Sequence, residues 1–427
     1  MTLNIELDVY SSMTDPSGLG QPHAQAPTSV RHQADWRERL RSTVDRWMVS
    51  PLLYRVSVST FFTRWFTQKR TREVFDLMAG FVHFQVLLNC LRLGVLRRVH
   101  ESPCTLEELA QQLGLPIERL DRLVWSAVAL KLVDQRSNGR YGIGPLGVLV
   151  VSYPGIEAMV EHNALLYADM ADTPRMLKSQ AGIEDAKMHQ YWPYTFGQDG
   201  VTAEHNCELE LPPETQAPRA SRASRASLAP QTERYSTLMS VSQNFVIQEI
   251  TASYDFSQHQ TVLDVGCGLG RFASTLAQQQ GALSLMLMDL PEVVKLTQRS
   301  HMNTDYVSRM SFVSGSFKTD PIPMGADLVT LVRVAHDHSD QDVEHLFKKI
   351  HAALPLRGRL LLAEPMADPK GERQDAYFHF YLMAMGEGRL RTPQKLSNMM
   401  QQAGFSRIEL LANPMPTHAR ILVAYKT

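Results

Sequence analysis

The sequence predicts an α/β protein, with a Rossmann-like, helix-wrapped sheet in the C-terminal half and a helical domain of winged-helix type before it. Three observations carry that expectation. From residue 261 onward, strand-like and helix-like stretches alternate, the pattern of a parallel sheet covered on both faces. A glycine-rich turn, Asp264-Val-Gly266-Cys-Gly268-Leu-Gly270, follows the first of those strands. Upstream, "TLEELAQQLG", "LPIERLDRLVWSAVALKLVDQ" and "RSNGRYGIG" read as helix, turn, helix and hairpin, the outline of a winged helix.

A chain of 427 residues exceeds what one ordinary core organises, so two domains with tails or inserts are expected. Its net charge of −1 creates no global field toward nucleic acid or membrane. Cys90, Cys104, Cys207 and Cys267 are scattered without a CxxC pair, which argues against a zinc ribbon or a disulfide framework and for a reducing, cytoplasmic compartment. The N-terminus lacks the basic and apolar regions of a secretory signal. No stretch approaches the roughly 20 uncharged apolar residues of a spanning helix.

Taken in order, residues 1–34 are rich in Pro, Ser, Gln and Gly and read as a disordered tail. Residues 35–75 form a basic, aromatic, helix-compatible arm, suited to an anionic membrane surface or to another subunit. Residues 76–155 hold the winged helix, opened by "FDLMAGFVHFQVLLNCLRLGVL", an almost wholly apolar helix expected to be buried in a core or dimer interface. Thr105 and Glu108 make a capping box, and Gly114 ends that helix. A DNA-reading helix carries excess base, yet Arg119, Arg122 and Lys131 are offset by Glu118, Asp121 and Asp134. Dimerisation or substrate capping is therefore expected of this domain, with no nucleic-acid partner. Residues 156–197 read as a helical connector and 198–233, with "RASRASRAS", as a disordered insert. Residues 234–427 make the sheet domain, whose last two strands have no helix between them, so the final strand should run antiparallel.

Glycines in the 264–270 turn let main-chain N–H groups approach a cofactor at a helix start. Asp289 closes the second strand, where a carboxylate can grip both hydroxyls of a ribose. An adenosine-bearing cofactor follows, nicotinamide or S-adenosylmethionine (SAM). The spacing D-x-G-x-G-x-G, rather than G-x-G-x-x-G, favours SAM.

"VRVAHDHSDQD" places His336, Asp337, His338 and Asp340 at the end of an apolar run. A metal site would need a further cluster at ligand spacing, and a nucleophilic triad an elbow such as G-x-S-x-G; neither is present, so no metal is expected. His338, His345 and His351 read as surface or helix-packing residues. His336 sits where the fourth strand delivers it to the cofactor edge of the sheet.

With these motifs in view, the chain resembles the class I SAM-dependent O-methyltransferases, the family that includes plant caffeate and bacterial small-molecule enzymes. The resemblance covers about residues 76–196 and 234–427. It implies a homodimer formed through the winged-helix domain, His336 with Asp337 as the base pair, and Glu364 in "LLLAEP" as the acid that orients the base. It further implies a cofactor set of Asp264, Gly266, Gly268, Gly270, Asp289, Leu290, Ser316, Phe317 and Arg333. Two departures stand out: Leu390 replaces a second orienting glutamate, and Ser316 replaces an acid that often meets the adenine.

"VFDLMAGFVHFQVLLNCLRL", "YWPY", "LVRVAHDHSD" and "YFHFYLMAMGEGRLRTP" are similar to the carotenoid O-methyltransferases of purple phototrophic bacteria. That similarity implies a hydrophobic small-molecule substrate, the tertiary 1-hydroxyl of an acyclic carotenoid, and peripheral contact with the inner, photosynthetic membrane. "YFHFYLMAM", Phe84 and the Trp192 region then either line a long apolar cleft or fill helix core.

Overall fold

The structure, a computed structural model, describes residues 42–43, 61–191, 238–240, 243–416 and 419–427. The tail at 1–34, most of the basic arm, Trp192 and the 198–233 insert lie outside the described residues. The chain divides into two units, Met1–Met78 and Ala79–Thr427.

Helix α1, Phe61–Arg92, carries the long apolar segment. The expected single helix through Leu96 is instead two: Gly94, at φ 78°, turns the chain and α2 begins at Val95 and ends at Glu101. Val86, Leu88 and Cys90 are buried, yet Val74, Phe75, Leu77, Met78 and Phe81 are exposed. The expected burial is therefore met only along the second half of the segment in the single chain. Within α1, Thr67–Arg92 is long and apolar enough to cross a membrane by length and composition. Its uncharged run, between Asp76 and Arg92, is still shorter than the roughly 20 residues of a spanning helix.

The winged helix forms as read. In α3, Leu106–Leu113, both bonds of the capping box are made: Glu108 N–H donates to Thr105 Oγ1 at 3.3 Å, and Thr105 N–H donates to Glu108 Oε2 at 3.0 Å. Helix α4, Ile117–Ala129, leads into β1, Val133–Gln135, which pairs antiparallel with β2, Tyr141–Ile143. Leu96, Leu109, Leu120, Val124 and Ala127 close a common core. Truncating one of these leucines to alanine removes about 2–5 kcal/mol.

The connector runs through α5 (Pro145–Ser152), α6 (Pro154–Asp169), α7 (Thr173–Lys178), α8 (Gln180–Glu184) and α9 (Lys187–Tyr191). The sheet follows α10, Asn244–Ser253. Its strands are β3 (Thr261–Val265), β4 (Ser284–Asp289), β5 (Met310–Ser314), β6 (Leu328–Val332), β7 (Arg359–Glu364), β8 (Arg407–Leu411) and β9 (Arg420–Tyr425). They lie in the order β5-β4-β3-β6-β7-β9-β8. The first five are parallel, and β9 runs antiparallel between β7 and β8, as the closing hairpin predicts.

Alternation along β7 sorts the two faces. Leu360 and Leu362 meet α13 (Asp340–Ala353) and α15 (Pro393–Gln402) in one core, while Leu361 joins α10 and α11 (Arg271–Gln279) in the other. A third cluster joins connector residues Leu166, Met176 and Met188 to Tyr381, Leu382 and Met385 of α14, Arg373–Met385. The strand order reverses between β3 and β6, which opens the crevice at their C-terminal ends where an α/β sheet receives ligands.

Candidate active site

On one side of the crevice, β3 carries Asp264 as its next-to-last residue and the chain then turns through Gly266, Gly268 and Gly270, at φ 72°, 53° and 69°. A Cβ on Gly266 would stand 2.7 Å from Val334, whereas one on Gly268 would meet nothing within 4 Å. Gly266 thus permits close packing, and Gly268 faces open space. Asp289, at the end of β4, braces this turn: Oδ2 accepts from Gly268 N–H at 2.8 Å and Oδ1 from Leu290 N–H at 2.7 Å. Leu290 caps α12, Pro291–His301, whose Thr297 donates to the Gly268 carbonyl at 2.6 Å. Asp264 is buried and accepts from Thr330 Oγ1 at 2.7 Å; burial outweighs that bond and pushes its carboxyl up to about 7.

Across the crevice, β6 ends at Val332 and the chain passes through Arg333, a non-glycine at φ 57°, into a 3-10 turn at Ala335–Asp337. Such a backbone is costly and persists only where its surroundings fix it. The turn presents His336, which is 4% exposed. Its Nε2 lies 3.1 Å from Asp337 Oδ1 and its Nδ1 3.7 Å from Glu364 Oε2. Glu364, fully buried at the end of β7, accepts the main-chain N–H of His336 at 2.9 Å. The expected bond from Glu364 to the imidazole is thus replaced by one to the backbone, because the turn brings the amide nearer than the ring.

His336 Nδ1, Asp337 Oδ1 and Glu364 Oε1 are buried without a hydrogen-bond partner. The 3.1 Å approach of His336 Nε2 to Asp337 Oδ1 is an ion-pair contact. Burial raises the Glu364 carboxyl. Burial also raises Asp337, but His336, His338 and Arg333 outweigh it and hold that acid below its ordinary value. His338 is buried, not a surface residue; its ring meets Phe317 edge-on at 4.9 Å, and burial lowers its imidazole to about 4.

The remaining residues of the expected set divide. Ser316 closes its own turn, its N–H donating to Asp320 Oδ2 at 2.8 Å and its hydroxyl accepting from Lys318 N–H at 3.3 Å. Phe317 packs between His338 and the core. The Arg333 guanidinium acts on Asp337, His162, Tyr377 and Tyr381, which places its charge on the side of the His336 turn.

Sequence reading missed two groups. His162 on α6 bonds Tyr381 on α14, Nε2 to the hydroxyl at 3.1 Å, and Tyr377 donates to Asn163 at 2.8 Å. "YFHFYLMAM" is therefore partly core: Tyr381, Leu382, Ala384 and Met385 are buried. The other is Arg391, 2% exposed, which bonds the carbonyls on both sides of His336 and Asp337. The sequence offered no signal, since these partners lie more than 50 positions away. Leu390 beside it is buried in the cluster around α14. Among the described residues, no group of three or more His, Cys, Asp or Glu side chains is placed to hold a metal ion.

Comparison with known proteins agrees with this geometry. The O-methyltransferase domain family matches residues 222–406, and the O-methyltransferase dimerisation domain matches 75–152, which supports a homodimer. The chain is 39% identical to the demethylspheroidene O-methyltransferase of Rhodobacter capsulatus over 80% of its own length and 79% of that protein's. It is 34% identical to the enzyme of that name from Cereibacter sphaeroides, over 86% and 89%. The fold matches human N-acetylserotonin methyltransferase, solved in complex with SAM, at a TM-score of 0.64 and 21% identity, covering 84% of this chain and 97% of that one. With its sheet, its dimerisation domain and relatives at this identity along most of their length, the chain belongs to the SAM-dependent O-methyltransferases.

Proposed function

We propose that this chain methylates the tertiary hydroxyl at the end of an acyclic carotenoid, with SAM as donor and His336 as the base. The observation that carries the substrate reading is the 39% identity to a demethylspheroidene O-methyltransferase along four-fifths of both chains. The buried His336, Asp337 and Glu364 group at the switch-point crevice supports the base.

The residues around the glycine turn fit SAM. Gly268 opens onto free space, and the Asp289 carboxylate stands beside it at the end of β4, bonded to the Gly268 and Leu290 N–H groups. SAM, when bound, supplies a sulfonium methyl group that reacts by in-line displacement. The protein's part is to aim the acceptor oxygen and remove its proton. A tertiary alcohol is a far weaker acid than imidazolium, so the proton leaves as the methyl arrives.

In this scheme Glu364 lies toward Nδ1 and favours a proton there, which leaves Nε2 as the acceptor. Asp337, 3.1 Å from Nε2, then stabilises the imidazolium that forms. Residues 35–75 are proposed to rest on a membrane surface, delivering a substrate that dissolves in lipid. In the described part of that arm Trp65 is exposed, with Lys69 near its ring.

The test is a transfer assay with isotope-labelled SAM and solubilised 1-hydroxy carotenoids, read by mass spectrometry. A labelled methyl ether on the carotenoid supports the reading. Transfer to phenols or pigments alone would overturn the substrate.

A further inference from the structure

Arg391 is a buried guanidinium outside the cofactor and base sets. Such a group needs partners for its five N–H donors, and every partner here belongs to or borders the turn that carries His336. Nε donates to Asp340 Oδ1 at 2.7 Å. Nη1 donates to the Ala335 carbonyl at 2.9 Å and to that of Arg389 at 3.3 Å. Nη2 donates to the His338 carbonyl at 2.7 Å. Lys395 also bonds Asp340, from the far side.

The segment just before Arg391 completes the grip. Arg389 N–H donates to the His336 carbonyl at 2.8 Å. Gly388 passes so close that a Cβ there would stand 2.7 Å from the same oxygen and 3.2 Å from Asp337 Cα. Residues 388–391 therefore hold the carbonyls of Ala335, His336 and His338, while Glu364 holds the His336 N–H from the sheet side. A three-residue turn following a left-handed Arg333 has few bonds of its own.

We propose that Arg391 is a positioning residue for methyl transfer, its forked donors fixing the turn so that the His336 imidazole stands at reacting distance from the acceptor oxygen. The assignment rests on His336 being the base. Lysine would place three donors at a single point and cannot span two carbonyls and a carboxylate at once.

The test uses the full chain and the variants R391Q, R391K and D340N. Each is read by kcat, by SAM affinity from calorimetry, and by deuterium exchange of the main-chain amides in residues 333–341. R391Q is expected to lower kcat by about 10- to 100-fold, the scale of a misplaced reacting group, with SAM affinity kept and exchange faster in 333–341 alone. R391K should recover part of the loss. Unchanged exchange in R391Q overturns the proposal at Arg391 itself. Faster exchange with unchanged kcat overturns it through its premise, because the group on the turn is then not the base. Loss of kcat and SAM affinity together also overturns it, as general unfolding. Should R391Q fail to fold, D340N decides: slower turnover with faster exchange at 333–341 supports the clamp, and wild-type values for both refute it.

Discussion

The two sides of the crevice are finished to different degrees. On the glycine side, each polar group is closed by another: Asp289 takes two main-chain N–H groups, Thr297 the Gly268 carbonyl, and Thr330 the Asp264 carboxylate. On the His336 side, the backbone is held tightly by Glu364 and Arg391, yet His336 Nδ1, Asp337 Oδ1 and Glu364 Oε1 are left buried and unsatisfied. An unmet buried polar atom costs about 1–3 kcal/mol, so three together mark the place where the molecule gives up stability for chemistry. In the proposed scheme one side binds the cofactor and the other reacts.

The largest effect that would sharpen this contrast lies at the base. H336A should lose about 10²–10⁴ in transfer rate, the usual worth of a positioned base, with SAM affinity unchanged in calorimetry. Next comes D289N on the binding side, which keeps the fold but loses charge-assisted bonds; SAM affinity should fall by about 10- to 100-fold. E364Q keeps an oxygen for the His336 N–H and removes the charge beside Nδ1. Its kcat should drop by about 10-fold, since the imidazolium loses one stabilising neighbour.

Smaller, and outside the reacting atoms, is a pH effect at His162. Burial, then the Arg333 charge, lowers its imidazole to about 4 from an ordinary 6.5. The folded state then binds fewer protons than the unfolded one, so stability is whole above pH 6.5 and is lost as pH falls toward about 4. The contribution is on the order of 3 kcal/mol, at 1.36 kcal/mol per unit. Asp264 opposes it: a raised carboxyl favours the folded state on acidification through the same window. H162Q should therefore flatten the loss of stability between pH 6.5 and 4 in urea titrations. An unchanged slope would show that His162 is not held neutral. The weakest effect is on lipid: removing residues 1–75 should reduce flotation with anionic liposomes, and equal flotation would discard the membrane arm.

The fold was largely legible because its signals are local. The strand-helix alternation, the Thr105–Glu108 capping box and the closing hairpin each occupy a few neighbouring residues, and each formed where it was read. Asp264, Asp289 and the glycines were legible for the same reason, as positions at strand ends. What stayed hidden is what folding brings together. Arg391 finds the Ala335 carbonyl 56 positions away, and His162 finds Tyr381 across 219. Glu364 was found in place, but whether it meets the ring or the amide of His336 depends on the 3-10 turn, which periodicity does not encode. The apolar run at 75–96 was read as buried in a core or a dimer interface, and a sequence cannot say which half of a greasy helix its own chain covers.

The division between a binding side and a reacting side is best tested by measuring SAM affinity and single-turnover methyl transfer on the same preparations of H336A and D289N. The account predicts opposite outcomes: H336A binds SAM as the unaltered protein does but hardly transfers, and D289N binds poorly yet transfers at near-normal rate once SAM is saturating. If each variant loses both properties in proportion, the two sides act as one unit, and the account is wrong.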